Sequence, residues 1–156
     1  MNLTIRRACI TDFEAVVSML YFNYNYPNYS ENKVASVNDC SIMFINGFNG
    51  NGFINIVEDD GVAVAAFSHA IRGNNLVEMH MCMNPEYIGK GIGSKVFELN
   101  SGLCTGLTLF TMAPETNPLS IKALIDANFK VSGSIPDSYQ TSDGFCSRVV
   151  LYSVCK

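Results

Sequence analysis

Three glycines at alternate positions, Gly89, Gly91 and Gly93, are the residues of this sequence best suited to binding an anion. They follow an apolar segment and precede a helical pattern, which predicts a strand, a glycine turn and a helix. Glycines allow backbone N–H groups to come close to a ligand. A helix that begins there adds unpaired N–H groups and the positive end of its dipole. The segment therefore predicts a site for the phosphate or pyrophosphate of a cofactor.

The spacing of these glycines excludes two common phosphate-binding motifs. A P-loop requires Gly-Lys followed by Ser or Thr, but here Gly89-Lys90 is followed by Gly91. A dinucleotide fingerprint requires Gly-x-Gly-x-x-Gly, whereas this sequence has Gly-x-Gly-x-Gly, and the strand before it does not open the chain. A generic nucleotide phosphate site stays open as an alternative.

The segment from Met81 to Ser94 resembles the acyl-CoA-binding motif A of the GCN5-related N-acetyltransferases, the GNAT superfamily. That motif has Arg or Gln, two residues, Gly, one residue, and Gly or Ala, after a hydrophobic strand and a proline. The matching residues are Pro85, Tyr87, Gly89, Gly91 and Gly93. The sequence departs from the motif at Ile88, where the family usually has Arg or Gln.

A second segment, Asn117 to Phe129, resembles a later helix of the same family. Asn117 and Phe129 match the family pattern without a gap, Leu124 stands where the family has Tyr, and Asn128 replaces Gly. Two motifs in the expected order imply the GNAT fold: an α/β (α+β) architecture with a mixed, mostly antiparallel central sheet flanked by about four helices.

The resemblance implies acetyl-CoA as the cofactor. Its pyrophosphate would lie on the backbone of the glycine loop, and its pantetheine arm would pair with the preceding strand. The implied cofactor-binding residues are Met81, Cys82, Met83, Ile88, Gly89, Lys90, Gly91, Ile92, Gly93, Ser94 and Asn117. The backbone from Met81 to Met83 would also supply the N–H donor for the oxyanion. No metal is implied.

Glu78 and His80 are the predicted catalytic residues, as general bases for the incoming amine. Strand alternation places both on one face, with Val77 and Met79 on the other. Relatives often have the catalytic His or Glu on the face that here has Val77 and Met79, and a β-bulge would change the parity. His69 is a weaker alternative, because a buried histidine with satisfied hydrogen bonds is the commoner interpretation.

Leu124 bears on whether the chain is an enzyme. In many relatives the Tyr at this position protonates the leaving thiolate, and Leu cannot. A thiol with a pKa of about 8.5 leaves partly as thiolate, and loss of a general acid costs roughly a hundredfold in rate. Two functions therefore stay open. One is acetyl transfer to a primary amine by direct attack in a ternary complex; the other is a non-catalytic acyl-CoA-binding or protein-interaction module.

A tyrosine-rich stretch, residues 21–32, interrupts the helical pattern and predicts a loop. In the resembled family this part of the chain lines the acceptor site, so Tyr24, Tyr26 and Tyr29 are the predicted substrate-binding residues. Tyrosine gives a large, stiff contact area with a polar tip. The alternative is a surface loop that covers the edge of the core. The acceptor itself is a small-molecule or peptide amine of open identity.

Bulk properties set the remaining limits. The 156 residues predict a single domain over 1–156. A net charge of −4 with only two histidines does not favour binding to a nucleic-acid backbone. Six dispersed cysteines predict buried free thiols, not a zinc site or a disulfide scaffold. Without a long apolar run or a signal-peptide core, the chain is expected to be cytoplasmic and not membrane-bound. The family often pairs through its C-terminal strands, so a homodimer is possible.

Periodicity and turn signals predict the remaining elements. A capping box over residues 11–14 should begin the first helix, and a second helix is predicted over residues 33–48. The predicted strands are Leu3 to Arg7, Phe53 to Val57, Val62 to Ile71, Leu76 to Met83, Leu107 to Met112, Val131 to Ile135 and Cys146 to Val154, the last two around a polar loop over residues 137–144.

Overall fold

A seven-stranded sheet in the order β1-β2-β3-β4-β5-β7-β6 forms the centre of the structure. The computed structural model describes residues 1–25, 36–141 and 144–156. The strands are β1 (Leu3–Arg7), β2 (Gly52–Asp59), β3 (Val62–Ile71), β4 (Leu76–Met83), β5 (Thr108–Pro114), β6 (Lys130–Thr141) and β7 (Gly144–Val154). The helices are α1 (Phe13–Asn25), α2 (Val37–Asn49), α3 (Gly93–Leu103) and α4 (Pro118–Asp126), with short 3₁₀ helices at Ile10–Asp12 and Pro85–Tyr87.

The neighbouring strands run antiparallel except β4 and β5, which are parallel. This confirms the predicted mixed, mostly antiparallel sheet with four flanking helices. In the described part of the chain no helix is long and apolar enough to cross a membrane.

The helices form two layers, one on each face of the sheet. Helices α1 and α2 pack on β2, β3 and β4, where Val16, Phe44, Ile56 and Cys82 belong to one apolar cluster. Helices α3 and α4 cover the opposite face, and the larger cluster there includes Val77, Met79, Val96, Phe97, Leu109, Leu124 and Phe129. Burial of these side chains on both faces is the main force that holds the sheet between its helices.

The strands that lead to the glycine loop have the predicted bounds. β3 and β4 span the residues expected from their apolar runs, and a two-residue turn joins β2 to β3. Both turn residues have positive φ, 49° at Asp60 and 84° at Gly61, the geometry that Asp-Gly favours in a tight hairpin. Five of the six cysteines are buried and all six are free thiols, as expected.

The first helix begins differently from the prediction. The capping box uses Cys9 and Asp12, and α1 follows a 3₁₀ turn, so the predicted box over residues 11–14 is wrong. The Asp12 carboxylate accepts the Cys9 backbone N–H at 2.7 Å and two hydrogen bonds from Arg6 at 2.8 and 2.9 Å. These charge-assisted bonds lower the pKa of Asp12 to about 2. The ion pair with Arg6 of β1 therefore favours Asp12 as the capping-box residue, in place of the predicted pair Thr11 and Glu14.

The tyrosine-rich stretch is helical as far as Asn25, so the predicted loop begins too early. The amides of Asn23 and Asn25 donate to the carbonyls of Met19 and Tyr21, each at 2.7 Å. Bonds to the carbonyl four residues earlier allow asparagine to continue a helix in its last turn. Residues 26–32 of the predicted loop lie outside the described residues.

The second helix and the last hairpin also differ from prediction. Ser36 caps α2 with a capping box to Asp39, so the helix starts later than residue 33. β6 and β7 extend through much of the segment predicted as a polar loop. A register shift between Ile135 and Tyr139, with Asp137 at φ 46°, allows the polar residues to remain in the ladder.

A buried polar chain connects β2, β3 and α3. Arg7 donates to Asn55 at 3.0 Å, Asn55 donates to Asn100 at 2.9 Å, and the Asn100 amide lies 3.1 Å from Nε2 of His69. The His69 ring is 3% exposed and stacks on Phe53 at a centroid distance of 4.3 Å. Burial lowers the pKa of His69 to about 4, and the Arg7 charge acts in the same direction. The neutral imidazole is thus part of the core, as the alternative interpretation expected, but its buried Nδ1 has no hydrogen-bond partner among the described residues, so its hydrogen bonds are not all satisfied.

Stability should fall as the pH is lowered from about 6.5 towards about 4, because the unfolded chain binds a proton at His69 that the folded chain excludes. Above this window His69 contributes no pH dependence. The loss should reach the order of 3 kcal/mol, since each pKa unit corresponds to about 1.36 kcal/mol. Urea unfolding at pH 7.5 and pH 4.5, on the native chain and on His69→Gln, measures it. Equal pH dependence in both proteins would contradict the assignment.

Candidate cofactor-binding and active site

Strands β4 and β5 separate partway along the sheet. Their ladder pairs Leu76, Val77 and Glu78 with Thr108, Leu109 and Phe110 and ends there. Beyond this point β4 stays paired with β3 as far as Met83, and β5 stays paired with β7 as far as Pro114. The two strands therefore enclose an opening, here called the β4–β5 gap, whose closed end is the Glu78–Phe110 pair.

Backbone groups of both strands point into this gap. The N–H of Asn84 donates to Val64 of β3 at 2.8 Å, so strand alternation turns the N–H and C=O groups of Met81 towards the gap. On the β5 side of the gap, the N–H of Glu115 donates to the Ser147 carbonyl of β7 at 3.0 Å. By the same alternation, the backbone N–H and C=O groups of Met112 are directed towards the gap. An extended ligand with its own amide groups could pair with both strands here.

The open end of the gap is bordered by two asparagines. The Asn23 side chain of α1 donates to the Met83 carbonyl at 2.8 Å and accepts the Met83 N–H at 3.4 Å. The backbone N–H of Asn117 donates to the Pro114 carbonyl at 2.9 Å, and its side chain accepts from Ser120 as the N-cap of α4. Asn117, the first residue of the second motif, therefore lies just after β5 as the N-cap of α4, whereas Asn23 was not singled out by the sequence.

The glycine loop follows β4 after the 3₁₀ turn at Pro85–Tyr87. Gly89 and Gly91 have φ values of 79° and 74°, and a Cβ at either would meet nothing within 4 Å. These positions require glycine for backbone conformation and leave open space beside the chain. Gly93 starts α3 for another reason, because a Cβ there would lie 3.1 Å from the Cβ of Ala123 on α4.

The first turn of α3 adds the expected N–H donors. Val96 is the first residue to donate within the helix, to Ile92 at 3.0 Å, so the N–H groups of Gly93 to Lys95 have no carbonyl one turn earlier in the helix. The first turn contains no acidic residue. Strand, loop and helix terminus thus form a cradle for an anion next to the open end of the gap.

The other predicted loop residues have distinct placements. The Ile88 side chain is 40% exposed, and Ile92 packs against the core below α3. The Lys90 ammonium lies 4.5 Å from the centre of the Tyr87 ring, a cation–π contact that holds it on the loop. Ser94 lies half-buried in the first turn of α3. Apart from Lys90, this loop therefore offers backbone groups and a small hydroxyl to a ligand.

Cys82 lies in the predicted strand but points away from the gap. Its side chain is buried between the sheet and the α1–α2 layer, where Sγ lies 3.6 Å from the Ala66 carbonyl. Burial raises the pKa of this thiol to about 12. Since its backbone pairs with β3, the structure brings Met81 and Met83, but not Cys82, to the edge of the gap.

Glu78 and His80 lie together at the closed end of the gap. His80 Nε2 is 3.0 Å from Glu78 Oε1, and Arg72 Nε donates to the other Glu78 oxygen at 2.7 Å. The β3–β4 register runs without a bulge from Met83 to Val77, so the two side chains share a face, as alternation predicted. Partial burial opposes ionisation of Glu78, but Arg72 and His80 together lower the pKa of its carboxyl. Arg72, which this arrangement requires, carried no signal in the sequence.

The remaining predicted residues are only partly described. Leu124 is 1% exposed in the core between α3 and α4, so its side chain is a packing residue. Tyr24 lies on α1 next to Asn23 with an exposed ring. Tyr26 and Tyr29 lie outside the described residues. Among the described residues no three His, Cys, Asp or Glu side chains are grouped as a metal site.

Solved N-acetyltransferases have this fold. An N-acetyltransferase from Staphylococcus aureus Mu50 superposes with a TM-score of 0.79 at 19% identity, covering 100% of both chains. A spermidine N-acetyltransferase from Vibrio cholerae, in complex with CoA and spermine, superposes with a TM-score of 0.81 at 14% identity, covering 98% of this chain and 95% of that one. A GNAT superfamily phosphinothricin acetyltransferase from Sinorhizobium meliloti, in complex with AcCoA, superposes with a TM-score of 0.78 at 18% identity, covering 98% of this chain and 88% of that one.

These similarities show that the chain has the GNAT N-acetyltransferase fold, as the two sequence motifs implied. No protein-family model matches the sequence, and no curated protein matches it. At such low identity the shared feature is the backbone arrangement, and the site must be judged from the residues of this chain.

The amide of Met81 should exchange with solvent much faster than the amide of Cys82, although they are neighbours in one strand. Cys82 pairs with β3, whereas Met81 points into the gap. Hydrogen exchange followed by NMR should show at least a tenfold difference. Replacing Asn23 by Ala should accelerate exchange at Met83, which the Asn23 side chain contacts. Equal protection of Met81 and Cys82 would contradict the open edge.

Proposed function

We propose that the protein is a GNAT-superfamily enzyme that transfers the acetyl group of acetyl-CoA to a primary amine by direct attack in a ternary complex. The observation that carries the proposal is the β4–β5 gap, whose open end meets the glycine loop and the N-terminus of α3. One continuous surface thus joins a strand edge suited to an amide-containing arm with a cradle suited to phosphates. Relatives of the same fold include complexes with CoA and AcCoA.

The residues present fit this cofactor. Gly89 and Gly91 leave open space beside the loop that a Cβ would narrow, and the first N–H groups of α3 would bind the pyrophosphate. Lys90 would add a positive charge, while Ile88 adds none where the family has Arg or Gln. The backbone of Met81 would pair with the pantetheine arm, and its N–H is suitably directed to stabilise a developing oxyanion.

Acetyl-CoA supplies an activated acyl group, so the protein must mainly position the amine and accept its proton. An alkyl amine has a pKa of about 10.4 and is mostly protonated at neutral pH. His80 suits the role of base, because the lowered pKa of Glu78 makes that carboxylate a weak base. With a proton on Nε2 shared with Glu78, His80 presents its Nδ1 lone pair to the amine. Glu78, held by Arg72, would orient the ring and stabilise its charged form.

No side chain at position 124 can protonate the leaving thiol, because Leu124 is a buried hydrocarbon. A thiol with an ordinary pKa of about 8.5 can leave as thiolate or take a proton from water. The proposal therefore includes a slower release step than in relatives with Tyr. It also includes a single domain over residues 1–156, a cytoplasmic location and a possible homodimer.

Gly91→Glu should abolish acetyl-CoA binding in isothermal titration, since its carboxylate would repel phosphates and its Cβ would strain a left-handed residue. Gly106→Glu is the matched control. Gly106 also has positive φ, 84°, with nothing within 4 Å of a built Cβ, but it lies after the other end of α3. Binding unchanged in Gly91→Glu, or lost equally in both variants, would contradict the phosphate cradle.

His80→Gln should lower kcat by about a hundredfold, the usual contribution of a general base, and leave the Kd for acetyl-CoA unchanged. Thiol release from acetyl-CoA with 2-phenylethylamine, spermidine, lysine and a short peptide as acceptors measures the rate. Arg72→Gln, which leaves His80 in place but loosens Glu78, should have a smaller effect.

Full activity of His80→Gln would exclude it as the base. Acetyl-CoA binding without turnover on any acceptor would favour the non-catalytic module, for which the buried Leu124 and the Ile88 departure are the structural arguments. Competition by ATP or NAD as strong as by CoA would instead favour a generic nucleotide phosphate site.

A further inference from the structure

A shallow apolar trough lies on the sheet surface next to the closed end of the β4–β5 gap. Its volume is about 370 Å³, near the lower end of the range for small-molecule sites. It is lined by Leu76, Thr108, Phe110, Ser132, Val150 and Tyr152. We call it the sheet trough.

The sheet trough borders the proposed catalytic pair, Glu78 and His80. Phe110, which lines it, is the partner of Glu78 in the last β4–β5 pair, and residues paired across neighbouring strands project on one face. The antiparallel register then places Tyr152 opposite Phe110 and Val150 opposite Met112 on the same face. A molecule with one end at Glu78 and His80 therefore has the sheet trough directly beside it.

The charges around the trough restrict what it can accept. None of its six lining residues carries a carboxylate, an ammonium or a guanidinium. The bordering carboxylate, Glu78, already bonds Arg72 and His80. Across the sheet, Lys130 is paired with Tyr152 and brings a positive charge to the same face. A second ammonium group in the trough would lose water without gaining an anionic partner.

We propose, building on the function above, that the sheet trough binds the apolar body of the acceptor. The acceptor is then a monoamine with an aliphatic or aromatic body, its amino group at His80 and Glu78. An aromatic ring there would contact Phe110 and Tyr152, for which ring packing is favourable. Polyamines, which need carboxylates spaced along their length, are disfavoured.

Binding of 2-phenylethylamine and of spermidine to the CoA-loaded protein, measured by titration calorimetry, tests the proposal without relying on turnover. We expect 2-phenylethylamine to bind at least tenfold more tightly. Val150→Lys, which introduces an ammonium at a half-buried trough position, should weaken its binding at least tenfold. Val150→Asp should shift the preference towards spermidine, because it supplies the missing carboxylate.

The matched control is Leu103→Lys, in a surface depression of similar size, about 380 Å³, between α3 and β1. Leu103 is exposed and lies far from His80 in the fold, on the face covered by α3. This variant should bind 2-phenylethylamine like the native protein. Circular dichroism and the Kd for CoA establish that each variant is folded.

The outcomes separate this inference from the proposed function. Amine binding that Val150→Lys removes, without acetyl transfer, would support the trough and overturn the enzymatic proposal. Acetyl transfer unaffected by Val150→Lys, or spermidine binding as tight as that of 2-phenylethylamine, would overturn the trough. Absence of amine binding together with a dimer that Val150→Lys dissociates would also overturn it, since a second copy of the chain would then occupy this face.

Discussion

The separation of β4 from β5 is the constraint on which the rest of the site depends. A parallel pair that stops at Glu78 and Phe110 leaves backbone groups of Met81 and Met112 without a neighbouring strand. Such groups are costly to bury unpaired, so they must face water, a side chain or a ligand. At Met83 the Asn23 side chain supplies these partners, because its amide forms hydrogen bonds with both the C=O and the N–H of Met83. The remaining open edge is what makes ligand binding physically reasonable here.

The two helices behind the glycine loop lie close together at its last glycine. Gly91 requires glycine for its left-handed backbone, but Gly93 requires it because α3 approaches Ala123 of α4 at contact distance. Leu124 and Phe97 fill the space between these helices and the sheet. The core thus places the N-terminus of α3 beside the gap, and the helix dipole is directed at the loop as a result of packing.

The two faces of the sheet differ in the environment that they give to a histidine. His69 lies on the face covered by α3 and is kept neutral by burial. His80 lies on the other face and is more than half exposed, and both His80 and Arg72 contact the Glu78 carboxylate. Two histidines on neighbouring strands therefore have different chemistry, one structural and one available to a ligand. The environment, not the residue type, separates their roles.

Much of the fold could be predicted from residue order. The apolar runs of β3 and β4, the Asp60–Gly61 turn, the glycine spacing and the Asn117 cap are local patterns, and each depends on a few neighbouring residues. The wrong predictions are those in which a specific side-chain contact or a register shift, not the apolar pattern, decides the outcome. Arg6 selects Asp12 as the capping residue, Asn23 and Asn25 extend α1 through a stretch that looks like a loop, and a register shift keeps Asp137 in a strand.

The sequence by itself determined the glycine loop, the strand before it and the pairing of Glu78 with His80 on one face, since backbone conformation and strand alternation are local properties. Only the tertiary structure decided where β5 leaves β4, which leaves the backbone groups of Met81 facing open space. It also brought Asn23 to Met83 at one end of the gap and Phe110 to Glu78 at the other. The physical reason is that these contacts arise from packing between elements far apart in the chain, whose partners no local pattern specifies.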